Sequence, residues 1–162
     1  MDLTVSETVN VMGAAAASHA ADSIRSLARL YEFVPIVFAT GASQLETLRA
    51  LVKMSDVPWD KVIGFHMDEY VGISDRHPAS FRRYLREELV ERVPLHGFYY
   101  VEGDAADPAE FCLQYAGLLR EYDPQLCLAG IGENGHLAFN DPHEADFNDA
   151  TDVKIEIGRA HV

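Results

Sequence analysis

Residues 130–142 read GIGENGHLAFNDP and follow directly on an apolar segment at residues 125–129. The apolar segment has the length and composition of a buried strand. Three glycines within six positions then allow a tight turn or a close approach of the backbone to a ligand. His136 and Asp141 come next, five positions apart. Because open α/β sheets place their chemistry outside the carboxyl ends of the strands, we expect this stretch, the histidine loop, to form part of a functional site.

The composition is that of one globular domain with a core. The chain has 162 residues, of which 48% are hydrophobic and 24% are charged. Its formal charge of −13 argues against a general surface for nucleic acid or anionic membranes. The sequence has no apolar run long enough for a membrane span, and its first residues lack the pattern of a signal peptide. Cys112 and Cys127 are expected to be small core residues of a reduced, cytoplasmic protein.

Helical and strand patterns alternate along the chain. Apolar residues recur at helical spacing in four segments, so helices are predicted at residues 13–31, 44–53, 80–92 and 108–122. Compact apolar runs predict strands at residues 34–39, 62–67, 98–101 and 126–129. This alternation predicts an α/β fold with a mostly parallel sheet and helices on both faces.

A turn with two hydroxyl side chains joins the first predicted strand to the second predicted helix. We call it the hydroxyl loop, and it consists of Thr40, Gly41, Ala42 and Ser43. Backbone N–H groups and the helix dipole at such a turn favour an anion such as phosphate. An ordinary helix cap, in which Ser43 and Glu46 form a capping box, explains the pattern equally well.

Asp68 and Glu69 lie at the end of the second predicted strand, within the segment 67–72 that we call the acidic turn. Paired acids at a strand end are often only a solvated turn. A carboxylate in a partly desolvated cleft is, however, what proton abstraction next to a carbonyl requires. If the strand geometry continues, the two side chains point in opposite directions, so that one faces a ligand and the other supports it.

His136 has several potential partners nearby in the sequence, namely Asp141, His143 and Glu144. Their spacing matches none of the compact zinc or iron patterns, so a metal site is not expected. A histidine oriented by a carboxylate is a good general acid/base pair. A structural role for His136, with the glycines as a tight connection, is the alternative.

Three motifs together resemble the glucosamine-6-phosphate deaminase family. They are FHMDEYVG at residues 65–72, HPASF at residues 77–81, and GIGENGH at residues 130–136 followed by AFNDP at residues 138–142. The resemblance extends from about residue 34 to residue 142, and it implies a Rossmann-like fold whose chemistry uses no metal or nucleotide cofactor. The same fold serves 6-phosphogluconolactonase, which resembles the chain less because its strand-end motif typically has Arg after the Asp-Glu pair.

The resemblance implies a role for each motif. The hydroxyl loop matches the loop that holds the sugar phosphate. Asp68 matches the base that moves a proton between C2 and C1, through an enolamine, before ammonia leaves, and Glu69 would support it. His136 matches the residue that opens the pyranose ring, and Asp141 matches the carboxylate that assists it.

Two positions depart from the pattern of the family. Asp141 stands where the better-known deaminases have Glu, so its reach is shorter by one methylene. Asn134, which we include among the catalytic candidates, stands where some members carry Asp; it can form hydrogen bonds but cannot relay a proton as a carboxylate does. Residues 143–149 also lack the serine-rich pattern of the well-known branch, so we do not expect allosteric control by an N-acetylated sugar phosphate.

Family members continue well beyond this length, with more strands and basic phosphate ligands. We therefore expect residues 1–156 to be part of a longer sugar-phosphate isomerase/deaminase domain that forms a homo-oligomer when full length. An exposed sheet edge, weak stability and no activity are expected of the 162-residue piece itself. Residues 157–162, IGRAHV, match what a common short-read sequencing adapter encodes in one frame, and are expected to be an assembly scar.

The resemblance predicts conversion of glucosamine 6-phosphate, or a close relative, to fructose 6-phosphate and ammonia. A lactonase is one alternative. A sugar-phosphate sensor domain of a transcription regulator is another, although such a domain needs neither Asp68 nor His136, and no helix-turn-helix pattern precedes residue 13.

Overall fold

Helices and strands alternate along the chain in a computed structural model that describes residues 2–156. The helices are α1 (Val9–Leu30), α2 (Ala42–Leu51), α3 (Phe81–Leu85) and α4 (Pro108–Tyr122). The strands are β1 (Val34–Phe38), β2 (Val62–His66), β3 (Gly97–Tyr99) and β4 (Leu126–Leu128). A 3₁₀ turn, Trp59–Lys61, precedes β2, and the π-helical turn Arg86–Val90 continues α3. The predicted assembly scar at residues 157–162 lies outside the described residues.

Capping side chains explain where the helices begin. α1 begins before its predicted start because the Thr8 hydroxyl accepts a hydrogen bond from the Val11 N–H at 3.2 Å. α4 has its predicted bounds, since the Asp107 carboxylate accepts from the N–H groups of Ala109 and Glu110. The helix predicted at residues 80–92 is α-helical only as far as Leu85. The remaining predicted elements are confirmed to within a few residues at their ends.

The four strands form one parallel sheet in the order β3-β2-β1-β4. The chain adds β2 and then β3 on one side of β1, and it returns to add β4 on the other side. The direction of strand addition therefore reverses between β1 and β4. Such a reversal opens a crevice at the carboxyl ends of the strands, where open α/β sheets bind ligands.

Helices cover both faces of the sheet, which confirms the predicted fold class. On one face, α1, α2, α3 and the π-helical turn bury an apolar cluster that includes Ile36, Phe38 and Leu85. On the other face, α4 packs Tyr115 against Phe65. No helix within residues 2–156 has both the length and the apolar character to cross a lipid bilayer.

The prediction that Cys127 is a core residue is wrong. β4 is the last strand of the described sheet, and Cys127 is exposed on it. Its neighbours Leu126 and Leu128 are only half-buried, because within residues 2–156 no further strand pairs with this edge. Cys112 on α4 is half-buried rather than a core residue.

Candidate active site

The hydroxyl loop, the acidic turn and the histidine loop all line one open cleft of about 1130 Å³. They follow β1, β2 and β4 respectively, so the parallel sheet brings their ends to one edge. Segments near residues 40, 68 and 136, which are far apart in the sequence, thus line the same cleft. The structure brings together the three sites that the sequence predicts separately.

The hydroxyl loop leads into α2 without a side-chain cap. The N-cap position is Gly41, with a φ of 99°, which a residue with a side chain rarely adopts. α2 begins at Ala42, so Ser43 lies inside the first turn of the helix and is not its N-cap. The capping box that was one interpretation of this loop is therefore wrong. The first N–H groups of α2 have no side-chain acceptor at the N-cap, which suits an anion.

Two contacts fix the position of the hydroxyl loop beside the cleft. The Tyr84 hydroxyl of α3 donates a hydrogen bond to the Gly41 carbonyl at 3.3 Å. On the other side, a Cβ atom at Gly130 would lie 2.7 Å from the Ser43 Oγ, closer than real Cβ atoms approach. A glycine at position 130 therefore lets the histidine loop lie directly against the hydroxyl loop.

Asp68 lines the cleft and is partly exposed. Burial, and secondly the charge of Glu69, raise the pKa of Asp68 from its ordinary value to about 6. A carboxyl group with this pKa can take up and release a proton near neutral pH, as a general base must.

Glu69 lies behind Asp68, and its side chain is completely buried. Its carboxylate accepts hydrogen bonds from the N-terminus of α3, among them one from the Ser80 hydroxyl at 2.7 Å. The loop after β3 holds the rest of the acidic turn, since the Gly72 N–H donates to the Gly103 carbonyl at 2.6 Å. Both acids of this turn line the cleft, but Asp68 is partly exposed there whereas the Glu69 side chain is buried against α3.

No sequence pattern singled out His66, the last residue of β2. Its imidazole is buried, and burial lowers its pKa to about 4, so that it is neutral near pH 7. The Val101 N–H donates to Nδ1 at 3.3 Å, and the Tyr115 hydroxyl donates to the His66 carbonyl at 2.7 Å. β2 therefore ends in a rigid, uncharged residue immediately before the acidic turn.

Asn134 joins His136 to Asp141 within the histidine loop. Its Nδ2 donates to the Asp141 Oδ1 at 2.8 Å, and its Oδ1 accepts from the His136 N–H at 3.2 Å and contacts the His136 Nδ1. The His136 Nδ1 lies 3.4 Å from the Asp141 Oδ1. The shorter Asp141 side chain thus still reaches the histidine, and Asn134 orients both groups.

Gly132 provides the space in which the His136 ring lies. A Cβ atom there would overlap the imidazole. The Gly132 N–H also donates to the His136 carbonyl at 2.9 Å, which closes the loop. The tight turn thus also provides the place for the His136 ring, and the catalytic role of His136 stays a prediction.

Three aromatic rings, the aromatic trio of Tyr70, Phe81 and Phe139, connect the acidic turn with the histidine loop. The ring centroids of Tyr70 and Phe81 are 5.1 Å apart, and those of Tyr70 and Phe139 are 5.2 Å apart. Phe81 and Phe139 are stacked at 6.2 Å. Sequence reasoning missed this contact, although Phe81 and Phe139 both lie within the quoted motifs.

Basic side chains are scarce in the cleft. Among the lysines and arginines of residues 2–156, only Lys154 lines it. Its Nζ lies 3.2 Å from an Asp149 carboxylate oxygen and 2.7 Å from one of Glu156. Binding of a phosphate dianion by the described residues would thus depend on backbone N–H groups and hydroxyls.

His143 and Glu144 form an exposed pair with 3.7 Å between Nε2 and Oε1. Neither lines the cleft. Within residues 2–156 no group of three or more histidine, cysteine or acidic side chains is arranged to hold a metal ion.

Comparison with known proteins identifies the family. Residues 7–156 match the family described as glucosamine-6-phosphate isomerases/6-phosphogluconolactonase, and the chain belongs to that family. A glucosamine-6-phosphate deaminase from an Exiguobacterium species is 36% identical over 115 residues, which are 71% of this chain and 44% of that protein. The corresponding deaminase of Lysinibacillus sphaericus is 36% identical over 104 residues, which are 64% of this chain and 47% of that protein. The chain thus spans about half the length of the curated relatives that it matches.

Solved structures agree with this assignment. A monomeric glucosamine-6-phosphate deaminase superimposes with a TM-score of 0.78 at 25% identity, covering 88% of this chain and 60% of that one. A 6-phosphogluconolactonase from Shewanella baltica has a TM-score of 0.70 at 19% identity, covering 82% of this chain and 57% of that one. The second likeness concerns the fold alone.

Proposed function

We propose that the protein is an amino-sugar-phosphate deaminase that converts glucosamine 6-phosphate, or a close relative, to fructose 6-phosphate and ammonia. The observation that carries the proposal is the convergence of Asp68 with the His136–Asp141 pair on one cleft. A carboxyl base and a histidine acid/base pair are the two devices that this reaction needs. The relatives named glucosamine-6-phosphate deaminase support the same conclusion.

Ring opening is the first step, and it falls to the histidine loop. His136 takes the proton from the C1 hydroxyl and delivers a proton to the ring oxygen, so that the C1–O5 bond breaks and an aldehyde forms. Asp141 stabilises the imidazolium that exists between these transfers, and Asn134 keeps the two side chains aligned.

Isomerisation and deamination follow at Asp68. The Asp68 carboxylate removes the proton from C2, and the aldehyde oxygen gains a proton, which gives an enolamine. Asp68 returns a proton to C1, and the C2 amine becomes an imine. Water then adds to C2, and ammonia leaves to give the ketose. A group with a pKa of about 6 can serve in both directions of this transfer.

The test is ammonia release from glucosamine 6-phosphate by the protein expressed from its complete gene. Ammonia with stoichiometric fructose 6-phosphate is the expected result. The lactonase alternative, suggested by the second half of the family's description, is tested in parallel with 6-phosphogluconolactone. Lactone hydrolysis without ammonia release would replace the deaminase proposal, and tight binding of a sugar phosphate without turnover would favour a sensor.

Tyr84→Phe is expected to raise the KM for the sugar phosphate by about 2- to 10-fold, with little change in kcat, because one hydrogen bond to the Gly41 carbonyl is lost. Burial raises the pKa of Tyr84 to about 12, so its hydroxyl keeps its proton and remains a donor. The measurement is steady-state kinetics beside Tyr31→Phe, which removes a hydroxyl from a half-exposed ring. Equal KM values for the two variants would contradict a role for Tyr84 in positioning the hydroxyl loop.

A further inference from the structure

Four donors bind the carboxylate of Glu69, the residue that follows Asp68. Its Oε1 accepts from the N–H groups of Tyr70 at 2.9 Å and Phe81 at 3.2 Å. Its Oε2 accepts from the Ser80 hydroxyl at 2.7 Å and the Arg82 N–H at 2.9 Å. Three of these groups are backbone N–H groups, which can only donate, and the fourth is a hydroxyl, so each carboxyl oxygen of Glu69 accepts two hydrogen bonds.

The same four contacts tie the acidic turn to α3. Three of the donors belong to consecutive residues at the N-terminus of that helix, where the helix dipole also favours a negative charge. The Arg82 side chain extends the attachment, since its Nη2 donates to the Ile73 carbonyl at 3.1 Å and contacts the Asp104 carboxylate at 2.6 Å. The peptide of Asp68 is thus fixed between the end of β2 and the start of α3.

Few positively charged side chains near Asp68 compensate the negative charge of Glu69. His66 of β2 is neutral, and Tyr115 of α4 contacts the His66 backbone through an uncharged hydroxyl. Arg82 of α3 lies 4.0 Å from the Glu69 carboxylate but is paired with Asp104. The other titratable side chains lining the cleft are those of Tyr70, Glu102, Cys112, His136, Asp141, Asp146, Asp149, Asp152, Lys154 and Glu156.

We propose that Glu69 is a positioning residue of the active site, whose buried carboxylate anchors the acidic turn to α3 and places a negative charge beside Asp68. The importance of this charge for turnover rests on the proposed deaminase function. The effect of the Glu69 charge on the pKa of Asp68 does not depend on that function. A neighbouring negative charge makes a carboxyl group hold its proton to higher pH whether or not a sugar is bound. Glu69 itself need not touch the substrate.

The experiment is a ¹³C NMR titration of side-chain carboxyl carbons in the protein expressed from its complete gene, with the signals assigned through Asp68→Asn and Glu69→Gln. In the unmodified protein Asp68 is expected to titrate near pH 6. In Glu69→Gln the Asp68 midpoint is expected to fall by roughly one pH unit, and to remain above the ordinary aspartate value because burial persists.

Two controls separate charge from packing. Glu87→Gln makes the same chemical change on an exposed side chain of the π-helical turn, and should leave the Asp68 midpoint in place. Ser80→Ala removes one hydrogen-bond donor to Glu69 and leaves the Glu69 side chain in place. This variant should have a lower melting temperature, but its Asp68 titration midpoint should not fall by one pH unit.

An unchanged Asp68 midpoint in folded Glu69→Gln would overturn the proposal. If that variant does not fold, the titration of the unmodified protein decides, because an ordinary aspartate midpoint for Asp68 would equally overturn the proposal. Where the enzyme turns over, the acid limb of kcat/KM against pH should move with the Asp68 midpoint. A protein without deaminase activity but with the expected titrations would contradict the proposed function and leave the role of Glu69 intact.

Discussion

Asp68→Asn is expected to reduce the rate of ammonia release by about 10²- to 10⁴-fold, the usual contribution of a general base. Asparagine has the size of aspartate, so it fills the same place at the cleft but cannot accept the C2 proton. The measurement is kcat for ammonia release together with exchange of the C2 hydrogen in heavy water, and both should fall together. Asp56→Asn is the matched control, because Asp56 is exposed and paired with the distant Arg25.

The melting temperature of Asp68→Asn distinguishes a loss of catalysis from a folding defect. The folded-state pKa of Asp68 is raised to about 6, so stability falls as the pH rises from the ordinary aspartate value to about 6, and the full cost of ionising the carboxyl group applies above that pH. Asparagine removes this cost, and the melting temperature at pH 7 should be maintained or raised. Retention of more than about a tenth of the activity would show that another group removes the proton.

Gly132→Ala is expected to reduce turnover by about 10- to 100-fold, because misplacing a catalytic group by an ångström has effects of this size. The added methyl group would overlap the His136 imidazole, so the ring must move away from Asp141. The measurement is kcat, combined with the His136 ring signals in an NMR spectrum.

Gly117→Ala is the matched control for this change. A Cβ atom at Gly117 on α4 has no atom within 4 Å among those described, so alanine fits without displacement. Turnover should be unchanged and stability should rise by about 0.5–1 kcal/mol, since alanine is favoured over glycine in a helix. Full activity in Gly132→Ala with an unmoved His136 would contradict the assigned role of Gly132.

Local patterns were enough to predict the alternating elements and the three polar segments at strand ends. α4 has its predicted bounds because Asp107, Pro108 and the apolar spacing act within a few residues of one another. The parallel sheet follows from the alternation itself, and it places Asp68 and His136 at one edge.

Features that depend on distant parts of the chain could not be predicted in this way. The exposure of Cys127 depends on which strand lies at the edge of the sheet, which no local pattern states. The aromatic trio joins residues about 10 and 60 positions apart, and the burial of His66 depends on Val101 and Tyr115. The change from α-helix to π-helix after Leu85 likewise has no signal in the apolar spacing.

The strand order also determines how the cleft can form as the protein is synthesised. β1, β2 and β3 are complete once residue 99 has been made, and each pairs with a strand close to it in sequence. The acidic turn can therefore pack against α3 early, since both precede β3. β4 pairs with β1 across about 90 intervening residues, and only then does His136 reach the cleft. In a nascent chain, only one side of the cleft would be present while α4 and the histidine loop are translated. During this time the unpaired edge of β1 would be exposed to chaperones and to other chains.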